Sequence, residues 1–203
     1  VGLGARFAEH GAAEEAEDVD RGQEHAEGGD HGQEALRAEG AEQDQEFADR
    51  LRLLRGVPRA KTRLEVDAAI QRLFAFAAWC DKYEGAVHRP PFRGLALAMN
   101  EAVGVVGIVC PEEPGLLAFV SLMGAAVAAG NAGGMVPSMA QAPIATDFYQ
   151  VLDTSDVPGG VVNIVTGDKG PLGSELAKHD AVDAVWYFGG AEGAGEIERL
   201  SAG

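Results

Sequence analysis

The sequence predicts an α/β protein built on a doubly wound parallel sheet. Four short, nearly all-apolar runs recur along the chain: "GVVGIV" (104–109), "GGMV" (133–136), "VVNIV" (161–165) and "AVWYF" (184–188). Strands covered by helices on both faces have this composition. Helix-length stretches with apolar residues at three- and four-residue spacing separate the runs. Strand–helix alternation repeated three times implies right-handed crossovers within one sheet.

Each element has its own local reason. "RLEVDAAIQRLFAFAAWCDKYEG" places Val66, Ile70, Leu73, Phe74 and Ala77 on one helical face, with Gly85 as a stop. "HRPPFRG" breaks regular structure through Pro90 and Pro91, and the alternating "LALAMN" reads as an edge strand. "PGLLAFVSLMGAAVAAGN" is an apolar helix ended by Gly130 and Asn131. "QAPIATDFYQVLDTSDVPGG" carries the stripe Ile144, Phe148, Val151 and Leu152 before a turn at Pro158, Gly159 and Gly160. "GPLGSELAKHDAVD" carries Leu172, Leu176 and Ala177, and "AEGAGEIERLSAG" begins a last helix. Gly133 and Gly134 stand where a buried strand prefers branched residues, weakening the second strand by roughly 1 kcal/mol.

Charge divides the chain. Its 203 residues carry a net charge of −16. Residues 1–50 hold fifteen Asp/Glu and four Lys/Arg, so the other 153 residues carry only −5. Large apolar residues are scarce at this end, and Val1, Leu3, Phe7, Val19, Leu36 and Phe47 show no helical stripe. Residues 1–55 are therefore expected to form an acidic, low-complexity segment, disordered or at most marginally helical, and 56–203 the folded domain. His10, His25 and His31 lack metal-ligand spacing and are read as solvated side chains. A third role, the acidic segment as a protein-interaction arm, has less support, because acidic tails are more often simply solvated.

The composition also excludes partners. An acidic chain lacks the Lys and Arg that bind phosphate backbones, so no nucleic-acid role is expected. No apolar run is long enough to span a bilayer, and no secretory leader pattern opens the chain. Cys80 and Cys110 form neither a zinc motif nor a disulfide framework, which suits a reduced, cytoplasmic setting.

In a doubly wound sheet, ligands bind beyond the carboxyl ends of the strands. The segments there are "CPEEPG", "VPSMAQ", "TGDKGPLG" and "GGAEGAG". Their glycines suit either tight turns or close approach of backbone to a phosphate. No strict G-x-G-x-x-G follows the first strand, and no P-loop is present.

Several longer motifs, "EAVGVVGIVCP", "VAAGN", "VPS", "PGGVVNIVTG" and "AKHDAVDAVWYFGGAEGAG", resemble the cofactor domain of the aldehyde dehydrogenase superfamily in order and spacing. The runs "FAAWCDKYEGAV" and "DFYQVLDTSDVPGGVVNIVTG" look closest to the bacterial branch of aldehyde dehydrogenase family sixteen. The resemblance covers about residues 60–203. It implies a Rossmann-like domain that binds NAD or NADP, with Cys110, Pro111, Pro137, Ser138, Gly167, Gly173, Gly189 and Gly190 as the cofactor-binding positions. It implies an aldehyde as substrate and a homo-oligomer for the intact member, whose oligomerisation strands lie mostly outside this stretch.

Departures from the family pattern set the expected limits. The family's nucleophilic Cys and general-base Glu follow the fourth strand, beyond residue 203, so no catalytic residue is assigned here. Cys80 reads as helix packing, and Cys110 has no adjacent base or cation to lower its pKa. The family's Pro-Trp-Asn becomes Pro111-Glu112-Glu113, and a carboxylate cannot donate to an oxyanion. Its Lys-Pro-Ser-Glu, which holds the adenosine ribose, becomes Val136-Pro137-Ser138-Met139, and both polar ribose contacts are replaced. Gly-Ser-Thr-Glu becomes Gly189-Gly190-Ala191-Glu192. Two readings follow. One is an aldehyde-oxidising enzyme of which this chain is the cofactor-domain fragment; the other is a non-catalytic relative acting as a structural or regulatory partner.

Overall fold

A computed structural model describes the backbone of residues 26–202 and the side chains of residues 41–202. Two long helices come first, α1 (Ala26–Arg55) and α2 (Arg59–Trp79), followed by the short strands β1 (Ala86–His88) and β2 (Ala96–Ala98). The predicted alternation then appears in order: β3 (Val105–Val109), α3 (Gly115–Ala128), β4 (Ala132–Val136), α4 (Ala142–Thr154), β5 (Val162–Ile164), α5 (Lys169–Lys178), β6 (Ala184–Tyr187) and α6 (Ala191–Leu200). A 3-10 turn over Met139–Gln141 leads into α4.

The four later strands form one parallel sheet in the order β5-β4-β3-β6. The chain steps outward from β3 to β5, then crosses back to β6 on the far side of β3, which makes the winding double. Along β3 the side chains alternate between two helical layers. Val106, Ile108 and Cys110 join the main core with Met135 and Val162 from neighbouring strands and with Phe119, Val120, Ile144 and Phe148 from α3 and α4. On the opposite face, Gly107 meets Leu176, and Val109 lies against Gly173, both of α5.

Local chemistry fixes the joints. Helix α3 ends in a Schellman motif: Gly130 takes φ +80, its N–H donates to Val127 O, and Asn131 N–H donates to Ala126 O. The buried Asn131 side chain then accepts from Val103 and Gly104 N–H at 2.7 and 3.0 Å. That side chain bolts the helix end to the start of β3. The predicted α4 stripe is fully seated, with Ile144, Phe148, Val151 and Leu152 all buried.

Two expectations need correction. The chain does not become ordered only at residue 56, because α1 is helical from Ala26 and its last turns are core. Ala48 and Leu51 are completely buried, and the Phe47 ring meets the edge of Phe148 at 6.5 Å. Three apolar residues within five positions suffice to dock a helix whose other faces are charged. Residues 1–25, and the side chains of His10, His25 and His31, lie outside the described residues. The second correction concerns "LALAMN": β2 pairs antiparallel with β1 in a separate two-stranded ribbon, and not at an edge of the main sheet.

The two glycines of β4 behave differently from each other. Gly133 is buried with Met135 beside it, whereas a methyl at Gly134 would meet only Leu176 Cδ2, at 3.7 Å, an ordinary contact. Gly134→Ala is accordingly expected to stabilise the fold by about 0.4–1 kcal/mol, chiefly by restricting the unfolded chain. Urea denaturation checks this through a raised midpoint at unchanged slope.

Candidate functional site

The carboxyl ends of β3, β4, β5 and β6 all open on one edge of the sheet, as parallel pairing requires. Beyond β3 lie Cys110, Pro111 and Glu112, and beyond β4 lie Pro137 and Ser138. The turn after β5 brings Gly167 and Asp168 to the start of α5, and Gly189 and Gly190 precede α6. Asp168 caps α5 by accepting from Gly170 N–H at 3.1 Å.

One polar cluster joins three of these ends. The Lys169 ammonium donates to Glu112 Oε1, and the Ser138 hydroxyl donates to Glu112 Oε2, each at 2.5 Å. These two donors, Lys169 first, hold the Glu112 carboxyl below the usual carboxylate range, so it is ionised at neutral pH. Burial is unequal: Ser138 is 2% exposed, and the Lys169 side chain is 15% exposed against 64% for Glu112.

The candidate cofactor positions separate into two groups. Pro111, Gly167, Gly189 and Gly190 lie in the turns at the strand ends, and a Cβ on Gly190 would meet nothing within 4 Å. Cys110, Pro137, Ser138 and Gly173 are buried, Ser138 with its hydroxyl on Glu112. The Cys110 side chain belongs to the core cluster, and Pro137 lines a tight space with Gly115, Leu116 and Phe119. Gly173 lies inside α5, where a methyl would meet Ile197 and Val109 at 3.4 Å, so it serves the approach of α5 to the sheet and to α6. Val136 faces an apolar cavity of about 470 Å³ under α5, shared with Gly134, Val165, Leu172 and Leu176. Met139 projects into solvent.

Neither cysteine is poised as a nucleophile. Burial pushes the Cys110 thiol up to about 12, with Lys169 opposing only part of that rise. The sequence reading placed no cation near Cys110; Lys169 is one, but burial outweighs it. Cys80 is exposed beyond the end of α2, where its thiol donates to Phe76 O at 3.3 Å. A thiol reagent at pH 8 should therefore label one cysteine in the native protein and two after unfolding. Peptide mass mapping should place the native label on Cys80.

A second network, absent from the sequence reading, supports the crevice from behind. Glu65 of α2 accepts from Leu116 and Leu117 N–H at 3.0 and 3.3 Å, and so caps α3 from a distance. Its other oxygen pairs with Arg55 at the end of α1, and Arg55 also pairs with Glu113. Glu113 is thus tied to α1. The sequence signal for Lys169 was modest, a single cation inside a glycine-rich turn; for Glu65 and Arg55 there was none.

Among the described residues, no group of three or more His, Cys, Asp or Glu could hold a metal ion, and no helix is long and apolar enough to cross a membrane.

Comparison with known proteins agrees with the fold. A sequence model described as the Aldehyde dehydrogenase family matches residues 33–203, so the match extends well into the acidic segment. Cytosolic 10-formyltetrahydrofolate dehydrogenase of Mus musculus is 34% identical over 134 residues, covering 64% of this chain and 15% of that protein. Lactaldehyde dehydrogenase of Methanococcus maripaludis is 30% identical over 151 residues, covering 72% of this chain and 32% of that protein. The crystal structure of an NAD-dependent aldehyde dehydrogenase from Sinorhizobium meliloti superposes with a TM-score of 0.75 at 26% identity, covering 80% of this chain and 32% of that one. The chain thus spans a third or less of the length of these relatives.

Proposed function

The chain belongs to the aldehyde dehydrogenase family, and on that premise we propose that it is the cofactor-binding portion of an NAD- or NADP-dependent oxidoreductase that converts an aldehyde to a carboxylic acid. The observation that carries this reading is the meeting of Ser138 and Lys169 on Glu112 at the carboxyl ends of the strands, the edge on which the Gly190 turn before α6 also opens. This donor set suits the phosphate oxygens of a dinucleotide, because a hydroxyl, an ammonium and the free N–H groups starting α6 all donate. The ribose end is less well served: Val136 and Met139 offer no polar atom to its hydroxyls. Phosphate contacts at Ser138 and Lys169 would therefore dominate, and the affinity is expected to be weak. When bound, the nicotinamide supplies the hydride acceptor.

The residues of this chain bind and orient; they do not react. Cys110 is a protonated thiol in the core, and Cys80 lies beyond the end of α2 beside Phe76, Ala77 and Val127 and not at the strand ends, so neither supplies the thiolate that the chemistry needs. The nucleophile, the base and the aldehyde site belong in this reading to sequence that follows residue 203, in a homo-oligomeric enzyme of the family-sixteen branch. Calorimetric titration of residues 1–203 with NAD and NADP tests the proposal, alongside an aldehyde assay read by absorbance of the reduced nicotinamide. Binding without turnover is the expected result. Turnover would show a nucleophile within the chain and overturn the division of roles.

One observation favours a second reading, a non-catalytic relative that keeps the fold as a structural or regulatory partner. Glu113 is held by Arg55 and cannot donate to an oxyanion. Failure of both cofactors to bind would favour that reading.

A further inference from the structure

The crevice contains a cation that cannot leave and an anion that can. The Lys169 side chain is 15% exposed and Ser138 is 2% exposed, and both are anchored where the backbone enters or leaves regular structure. Glu112 reaches them from the loop after β3 with its own side chain 64% exposed. A carboxylate placed that way can swing into water at small cost, whereas a nearly buried ammonium left without a counter-charge is expensive. The two donors point at separate oxygens of one group, Lys169 at Oε1 and Ser138 at Oε2. Any small oxyanion with two acceptors could replace that carboxylate.

We propose that Lys169 and Ser138 form the phosphate-binding pair of this crevice, and that Glu112 is its resident occupant, displaced when a phosphate-bearing ligand enters. The inference rests on the cofactor-binding reading for where the phosphate comes from, but the exchange itself concerns only these three side chains. A phosphate group suits the position better than a second carboxylate. It carries more charge against Lys169, and it can accept further from the N–H groups that open α6 beside Gly190. In a chain of net charge −16, a local cation such as Lys169 offsets the repulsion of any such ligand. Glu112 then acts as a filter, because weak anions cannot evict it.

The test is calorimetry on residues 1–203 with two probes, inorganic pyrophosphate and NAD, using wild type, Glu112→Gln, and Glu112→Gln combined with Lys169→Met or with Ser138→Ala. Glu112→Gln should bind pyrophosphate at least tenfold more tightly than wild type. Adding Lys169→Met should abolish the gain, and adding Ser138→Ala should remove part of it. Circular dichroism melts confirm that each variant folds, and the Ser138→Ala change, which removes a single hydroxyl oxygen, keeps the test decisive if the Lys169 variant does not fold. Equal or weaker pyrophosphate binding by Glu112→Gln overturns the proposal. If that variant gains pyrophosphate affinity while no variant binds NAD, the exchange stands and the cofactor reading fails. If NAD binds wild type and Glu112→Gln equally and pyrophosphate shows no gain, the cofactor reading stands and the exchange fails.

Discussion

Replacing Glu65 with alanine is expected to destabilise the fold by about 3–5 kcal/mol, the usual cost of removing one partner from a buried charge pair. The Glu65 side chain is only 7% exposed, and its two oxygens do separate work. One accepts from Leu116 and Leu117 N–H, which have no intrahelical acceptor because they lie in the first turn of α3. The residue before α3 is Pro114, which offers no side-chain cap, so the acceptor must come from another helix. The other oxygen neutralises Arg55, whose Nε is buried without a partner. Alanine therefore orphans two amides at once and leaves the Arg55 guanidinium with only the more exposed Glu113 as counter-charge. Glu65→Gln keeps an acceptor for the amides and loses only the charge, so its cost should be clearly smaller. Urea unfolding of the three proteins checks the order, and equal midpoints for alanine and glutamine would refute the capping role.

Phe119→Ala is the second large effect, at about 3–5 kcal/mol. Phe119 is among the largest completely enclosed side chains and packs edge-on against Phe148 at 5.7 Å and 74°. It sits between α3 and α4 under the sheet, in contact with the buried face that β3 and β4 present. Removing the ring leaves a cavity that neighbouring elements cannot collapse into without moving the sheet. Thermal melts should show a lowered midpoint. Phe119→Leu, which retains most of the volume, should recover much of it.

Both predictions fall on contacts whose legibility in the sequence differs. The α4 stripe and the four apolar runs were readable because buried parallel strands and amphipathic helices impose local periods. Phe119 belongs to such a run. Glu65 does not: its partners, Arg55 and the Leu116 amide, lie ten and fifty-one residues away, and no period links them. Helix α1 was hidden for a related reason. Its docking residues Phe47, Ala48 and Leu51 occupy the last third of a helix whose remainder is mostly Glu, Gln, Ala and Gly with a few other polar residues and Leu36, so composition averaged over 1–55 concealed them.

The crevice was legible in place and not in detail. The turns after β3 to β6 could be located from the strand runs, since parallel pairing puts all four ends on one edge. Strand register decides which way each side chain turns: Val136 pairs with Val109 and both face α5, so Cys110, one residue further on, faces the core. The Glu112 contacts with Lys169 and Ser138 join residues 57 and 26 positions apart, and only the assembled sheet brings them together.

The central claim is that these strand ends form one dinucleotide-binding crevice. Amide NMR spectra of residues 1–203 titrated with NAD test it most directly. The account predicts shifts concentrated at 110–113, 137–139, 167–170 and 189–192, with α1, α2 and the β1–β2 ribbon unmoved. Saturable shifts confined to other surfaces, or none at millimolar NAD, would contradict it.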